Sequence, residues 1–433
     1  MNKQILRLAI PNILSNLSVP LLSSVDTALV GHLGEPYYLG AIAIGVMIFN
    51  FVYWGFGFLR MGTTGLTAQS FGAGNPVYAM LIFYRAMLVA AIGSSLLIIL
   101  QYPLLQLVFS LVEMSPEVQE YTSVYFYIRI WAAPATLAMY GIQGWMLGMQ
   151  NARDPMIITV FINVVNIIFT VLFIRVYGMT VDGVAWGTVI ANYMGVILSV
   201  LILYLRYRRY FRFPVMSEIL EVTGIREFFR VNSDIMIRTL CLIFAFSFFT
   251  AQSSAMGDNI LAANTILLQL WAILAYGIDG FAYAAESLSG KYAGAKDKKG
   301  FNKTIRYVFY WATGLAVLLT AIYALLPGFI LGLFTNQPEI IDLAFSVYMW
   351  TILAPMVNSF CFVWDGIFLG ATATKPMRNS MLIATFLVFL PSYYLLYPII
   401  GMHALWLAMS IFMMFRGLSL FYYARYTDAL EIT

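Results

Sequence analysis

Charge is scarce in this chain. Only 10% of its 433 residues are Asp, Glu, Lys or Arg, whereas soluble domains carry about 25%. With 61% hydrophobic residues, so few charges could not cover the surface of a water-soluble fold of this size, and that class is excluded. Cysteine is nearly absent. Cys241 and Cys361 both lie inside apolar segments, so neither a disulfide framework nor a zinc cluster is available. The two histidines, His32 and His403, lie too far apart in sequence to make a metal site by themselves. No nucleophile or metal constellation at membrane depth can be assembled from these residues, so neither an enzyme nor a cofactor is expected. The net charge is only +4, and the bases sit between apolar runs. That distribution suits membrane orientation and argues against nucleic acid as a partner.

Long apolar runs dominate instead. Stretches of about 20 or more mostly apolar residues fall at 8–31, 38–68, 77–102, 120–148, 155–177 and 182–207, then at 228–256, 260–288, 304–334, 341–370, 377–397 and 402–424. The chain therefore reads as an all-α polytopic membrane protein of twelve spans. The basic lead-in from Met1 to Ala9 meets no small-residue cleavage site and reads as the start of a retained first span. An even number of spans puts both termini on one side. Connections after even-numbered spans carry Arg153, Arg206, Arg208, Arg209, Lys296, Lys298, Lys375 and Arg378, while the opposite loops carry Glu35, Glu113, Glu117, Glu120, Asp182, Asp258, Glu339 and Asp342. Positive loops stay cytoplasmic. Both termini are expected there, in a plasma membrane, with a bacterial inner membrane the natural case.

The chain also repeats itself at an offset near 222. Ala133-Pro134, Gln143-Gly144, Leu147-Gly148 and Pro155-Met156 are echoed by Ala354-Pro355, Asp365-Gly366, Leu369-Gly370 and Pro376-Met377. Phe71-Gly72-Ala73-Gly74 is echoed by Tyr292-Ala293-Gly294-Ala295, and Gly34 by Gly257. Several matches in register indicate two six-helix halves. The arginine-rich connection 206–230 marks the boundary, giving an N-lobe over 1–215 and a C-lobe over 216–433. Six is even, so the lobes enter from one side and should be related by a pseudo-two-fold axis along the membrane normal, with a central cleft between them. A two-lobed single chain suits alternating access better than a channel. A monomer embedded in the lipid bilayer is expected.

Ionisable residues inside apolar spans are costly and mark function. Asp26, in LSSVDTALVG, lies several turns from any charged loop with no base within four positions. A carboxyl at that depth favours its neutral form and can carry a proton near neutral pH; packing against Ser23, Ser24 or Thr27 is the plainer alternative. Asn163, Asn166 and Thr170 share one face of the fifth span, where they could coordinate water, a proton carrier or a cation, or simply bond between helices. Asp234 and Arg238 are i, i+4 neighbours and are expected to pair. Asp279, Glu286 and Asp365, with Gln143 at the place matching Asp365 and Trp54 offering an aromatic face, are candidates for the path of a cationic substrate. Arg60 and Arg129 could bind a carboxylate or snorkel. Pro11 and Pro20 permit bending of the first span, and Pro134 and Pro355 of the fourth and tenth.

Six strings carry a resemblance: VDTALVGHLG (25–34), AQSFGAGN (68–75), LGMQNARDPM (147–156), GVAWGTVIAN (183–192), YGIDGFAYAAESLSGK (276–291) and WDGIFLGATATKPM (364–377). Together they resemble the multidrug and toxic compound extrusion (MATE) transporters, in their DinF-like branch, over essentially the whole chain. The resemblance implies a V-shaped cleft between the lobes and export of organic compounds in exchange for protons or sodium ions. It also implies roles: Asp26 matches the branch's first-helix carboxylate, Asn166 its fifth-helix asparagine and Thr188 its sixth-helix hydroxyl, a set that could hold Na⁺. Members of the branch often carry an aspartate four residues after that asparagine, where this chain has Thr170. With one carboxylate fewer, a dehydrated sodium ion is less well compensated, and proton coupling through Asp26 is the reading taken. A sodium-coupled drug antiporter and a lipid-linked saccharide flippase of the same superfamily are the alternatives. The repeat puts Phe249 where Asp26 stands, so coupling should be confined to the N-lobe.

Overall fold

A computed structural model describes the backbone of residues 1–31, 35–212 and 214–430; the side chains of Leu21, Ser23, Ser24, Asp26, Thr27, Val30 and Asp428 also lie outside the described residues. Among the described residues there is helix and no strand. Twelve long rods follow one another: α1 (Asn2–Val30), α2 (Pro36–Gly72), α3 (Pro76–Ile99), α4 (116–148), α5 (Arg153–Arg175), α6 (Val181–Tyr210), α7 (Val222–Ala255), α8 (Asp258–Gly294), α9 (Lys298–Leu325), α10 (Pro338–Gly370), α11 (Thr374–Ile400) and α12 (His403–Tyr426). Ten are individually long and apolar enough to cross a membrane. The 29-residue α1 and the interrupted α4 complete the twelve expected from sequence.

Local chemistry sets where the rods begin. Pro36, Pro76, Pro116 and Pro338 open four of them, at positions where a missing N–H costs nothing. Asn75 Oδ1 accepts from the Tyr78 amide at 3.0 Å, and Asp297 Oδ1 from the Gly300 amide at 2.9 Å, each satisfying an orphan donor of the first turn. Prolines act unevenly further in. Before Pro134 the helix tightens to a 3₁₀ turn at Ile130–Ala132, because Pro134 has no N–H for the Ile130 carbonyl. Around Pro355, and around Pro11 and Pro20, the helical assignment is unbroken. The break in α2 at Phe56, between Gly55 and Gly57, involves no proline and was not anticipated.

The helix ends show the repeat in backbone geometry. Gly74, Gln150, Lys296 and Thr372, following α2, α4, α8 and α10, all have left-handed φ (68°, 66°, 54° and 51°). Each is flanked by the same bonds: Asn75 N to Ser70 O, Asn151 N to Met146 O, Asp297 N to Tyr292 O and Ala373 N to Phe368 O, at 2.9–3.0 Å. These are Schellman-type ends, which return orphan carbonyls to backbone partners. Gly178 after α5 and Gly401 after α11 form a further matched pair, at φ 66° and 55°.

The glycines of the repeat are sites of close helix approach. A Cβ on Gly144 would lie 2.5 Å from Arg60 O, and one on Gly148 2.5 Å from Thr67 Cβ. In the second half, a Cβ on Gly366 would lie 2.3 Å from Ala282 O, and one on Gly370 2.1 Å from Glu286 O. The two Gly-xxx-Gly pairs thus seat α4 against α2 and α10 against α8 backbone to backbone, as small residues do in membranes.

The chain divides into two compact units, one of Leu14–Phe229 and the other of Met1–Ile13 with Arg230–Thr433. The first turns of α1 accordingly pack with the second half, where Trp311 Nε1 donates to Asn2 Oδ1 at 3.2 Å. The connection before α7 is fastened to the Leu14–Phe229 unit. Buried Arg85 of α3 donates to the Ile219 carbonyl at 3.0 Å and lies 3.7 Å from Glu221, and Tyr78 donates to Glu227 at 2.7 Å.

Candidate functional site

A polar ladder crosses the Leu14–Phe229 unit. Asn163 Nδ2 on α5 donates to Ser18 Oγ on α1 at 2.8 Å. One turn on, Asn166 Nδ2 donates to Thr188 Oγ1 on α6 at 3.0 Å, and Asn166 Oδ1 accepts from Thr170 Oγ1 at 3.3 Å. The Thr188 hydroxyl donates to the Val184 carbonyl at 3.0 Å. Asn192 Nδ2 donates to the Thr188 carbonyl at 2.8 Å, and Asn192 Oδ1 accepts from Thr136 Oγ1 of α4 at 3.5 Å. Asn166 and Thr170 are 2% and 0% exposed, so every polar atom here needs a partner. Close approach makes this possible: a Cβ on Gly187 would lie 2.6 Å from Thr170 Oγ1.

Of the residues singled out from sequence, the structure brings together Asn163, Asn166, Thr170 and Thr188. The backbone of Asp26 is helical, two turns beyond Ser18, while its side chain lies outside the described residues. Gln143 stands nearer the start of α5, donating to Thr159 at 3.3 Å. Trp54 is 43% exposed on α2. Ser18, Thr136 and Asn192 were missed. Hydroxyls and amides in apolar runs carry little signal alone, although Asn192 closes the GVAWGTVIAN string.

The unit of Met1–Ile13 with Arg230–Thr433 pairs Asp365 and Asp234 with arginines, as the Leu14–Phe229 unit pairs buried Asp154 with Arg206. Asp365 Oδ2 accepts from Arg238 Nη2 at 2.6 Å and from Arg416 Nη2 at 2.5 Å, all three side chains buried. Asp234 accepts from Arg378 at 2.7 Å and from Thr374 at 2.8 Å. The expected Asp234–Arg238 pair is therefore corrected. The two are neighbours along α7, but each turns to another helix for its counter-charge, Asp234 to half-buried Arg378 of α11 and Arg238 to buried Asp365 of α10. Arg129 likewise meets ring faces, 4.9 Å from the Phe49 centroid and 5.3 Å from that of Tyr125. Glu286 is buried and Asp279 half-buried on α8. Arg416 was overlooked, although a base inside an apolar run obeys the same rule that singled out Asp26.

The position matching Asp26 is apolar. Phe249 is fully buried, its ring edge-on to Trp406 at 4.8 Å. Among the described residues no three His, Cys, Asp or Glu side chains converge to hold a metal ion.

Comparison with known proteins agrees with this architecture. The MatE family model matches residues 11–172 and again 235–395, once in each half. DNA damage-inducible protein F of Escherichia coli (strain K12) is 38% identical over 425 residues, covering 97% of this chain and 91% of that protein. Multidrug and toxin extrusion protein 1 of Xenopus tropicalis is 27% identical over 404 residues, covering 90% and 67%. A solved structure, the outward-facing conformation of a multidrug resistance MATE family transporter of the MOP superfamily, superposes with a TM-score of 0.88 at 20% identity, covering 100% of this chain and 97% of that one. A doubled family model, near-complete coverage by a relative and a twelve-rod helical fold lead to one conclusion: this multi-pass membrane protein belongs to the MatE family of membrane transporters.

Proposed function

We propose that the protein is a secondary antiporter that exports organic cationic or amphipathic compounds in exchange for protons, with Asp26 as the proton-carrying carboxylate. The Ser18–Asn163 bond carries this reading, because it sets the depth of α1 against α5. Both are odd-numbered spans and run the same way through the bilayer. Eight residues beyond Ser18 is about 12 Å of rise and seven beyond Asn163 about 10.5 Å, so the backbones of Asp26 and Thr170 fall at one depth.

Around that depth the described groups are neutral and mutually bonded. Asn166 and Thr188 satisfy each other, and Thr170 donates to Asn166 where a carboxylate would otherwise add an anionic ligand. A hard cation wants several free oxygens and compensating charge; a proton needs one carboxyl. In the other unit Asp365 is already shared by two guanidiniums, and Phe249 replaces the acid, which supports coupling through the Leu14–Phe229 unit. Proton and cargo must favour opposite states or compete, since a ligand shifts an equilibrium only by its differential affinity. The relatives' names, multidrug and toxin extrusion protein 1 and probable multidrug resistance protein NorM, support organic cargo. Loop charge supports a plasma-membrane protein with both termini cytoplasmic.

The test is transport in proteoliposomes with proton and sodium gradients imposed separately, for the wild type and Asp26→Asn. Efflux driven by the proton gradient alone and abolished in the folded variant is the expected result. Efflux driven by sodium would replace the coupling ion. The flippase reading draws on the surplus of buried guanidinium over carboxylate at Arg238, Asp365 and Arg416; it predicts that neither gradient matters.

A further inference from the structure

A groove of about 500 Å³ opens among α9, α10 and α12, wholly within the unit that contains Arg230–Thr433. Its wall is aromatic. Ring centroids of Phe309 and Trp364 lie 5.3 Å apart, those of Phe309 and Phe360 5.8 Å, and those of Trp364 and Phe421 5.9 Å. Lys298, at the start of α9, and Arg425, at the end of α12, stand on its rim, both exposed. No Asp or Glu lines it among the described residues, and Asp297, beside Lys298, is committed to capping the Gly300 amide at 2.9 Å. Trp364 is 6% exposed, and its indole N–H has no acceptor among the described residues. A buried donor without a partner is uncommon, and it sits at the back of this aromatic wall.

The volume lies within the about 300–1,000 Å³ of sites that hold organic ligands. An aqueous anion would suit the rim but leave the aromatic wall wet, and a neutral hydrocarbon would suit the wall but leave two cations idle. An amphiphile with an anionic head satisfies both. Lys298 and Arg425 adjoin the connections that the loop charges place in the cytoplasm, where basic pockets between spans take acidic headgroups.

We propose that this groove binds one anionic phospholipid of the cytoplasmic leaflet, its phosphodiester between Lys298 and Arg425 and an acyl chain along Phe309, Phe360 and Phe421. The site is separate from the polar ladder of α5 and α6 and stands whatever cargo the protein moves.

Native mass spectrometry of the full-length protein, exchanged into micelles containing phosphatidylglycerol or phosphatidylcholine, tests it. Wild type is expected to retain one phosphatidylglycerol selectively. Each basic residue near a membrane surface is worth about fivefold in affinity, so Lys298→Gln/Arg425→Gln should lose about 25-fold while Lys298→Arg/Arg425→Lys keeps the lipid. Equal retention of phosphatidylcholine by the wild type would overturn the proposal, as would a neutralised variant that holds the lipid undiminished. Displacement of the lipid by inorganic phosphate at millimolar concentration would overturn it too, assigning the rim to a soluble anion.

Discussion

Asp365 is the single carboxylate shared by two buried arginines, and removing its charge should be severe. In Asp365→Asn the guanidiniums of Arg238 and Arg416, held at 2.6 and 2.5 Å, both lose their counter-ion. Arg416 keeps the Met413 thioether at 3.0 Å, a weak acceptor. Arg238 Nε already lacks a partner among the described residues, and Arg238 keeps only the weaker, through-space attraction of Asp279. Breaking a buried ion pair from one side costs about 3–5 kcal/mol, whereas replacing a whole buried ionic group by apolar residues of similar volume is often neutral. The unfolding equilibrium of the purified protein, titrated in mixed micelles, should therefore shift by that amount in Asp365→Asn. It should be largely restored in the triple variant Arg238→Met/Asp365→Leu/Arg416→Met. A loss under about 1 kcal/mol in Asp365→Asn would refute the reasoning. So would a stable Asp365→Asn protein that has selectively lost transport of cationic cargo, since the carboxylate would then face the cargo rather than the arginines.

Gly370→Ala should prevent α10 from seating on α8, because its Cβ would meet Glu286 O at 2.1 Å; overpacking of this kind costs about 1–3 kcal/mol, read as a lowered melting temperature. Thr372→Gly should do the opposite. Relief of a left-handed β-branched residue is worth about 1–2 kcal/mol, against about 0.5–1 kcal/mol of extra unfolded-chain freedom, for a net gain near 1 kcal/mol in the same assay. The Glu221 carboxyl is held below its ordinary value of 4.5 by hydrogen bonds from the Thr223 hydroxyl and the Gly224 amide at the start of α7. A lowered folded value means that this cap contributes fully above about pH 4.5 and is lost as pH falls through the folded value. Hydrogen exchange in the first turn of α7 should differ between wild type and Glu221→Gln at neutral pH and converge in acid; a difference persisting in acid would contradict the assignment.

Spans and their number were legible because hydrocarbon thickness imposes a length that any sequence must meet. The Gly-xxx-Gly pairs were legible as a repeated string, though their purpose, backbone contact at Gly144, Gly148, Gly366 and Gly370, needed the structure. On the polar side, Asn163, Asn166 and Thr170 were readable as one helix face. Their partners Ser18 and Thr188 were less so, since α1 and α6 reach them from other spans by contacts that periodicity does not encode. The charge pairing was least legible. Asp365 finds Arg238 and Arg416 at separations of 127 and 51 residues, whereas the local rule offered Asp234 to Arg238. The break at Phe56 was hidden because two glycines in an apolar run leave hydropathy unchanged.

The matched helix ends bear on the protein's history. The same 76 residues separate Gly74 from Gln150 and Lys296 from Thr372. An unequal insertion or deletion in either stretch would have destroyed that spacing. Two copies of an ancestral six-helix unit have thus drifted in side chains while their turns kept count. Asp26 and Phe249 occupy equivalent places, as do Gln143 and Asp365. Duplication gave each half the same scaffold, and divergence then gave the halves different polar groups on it. Experiments that swap the α1–α2 and α7–α8 hairpins at these turns would ask whether an acid set into the second scaffold behaves as it does in the first.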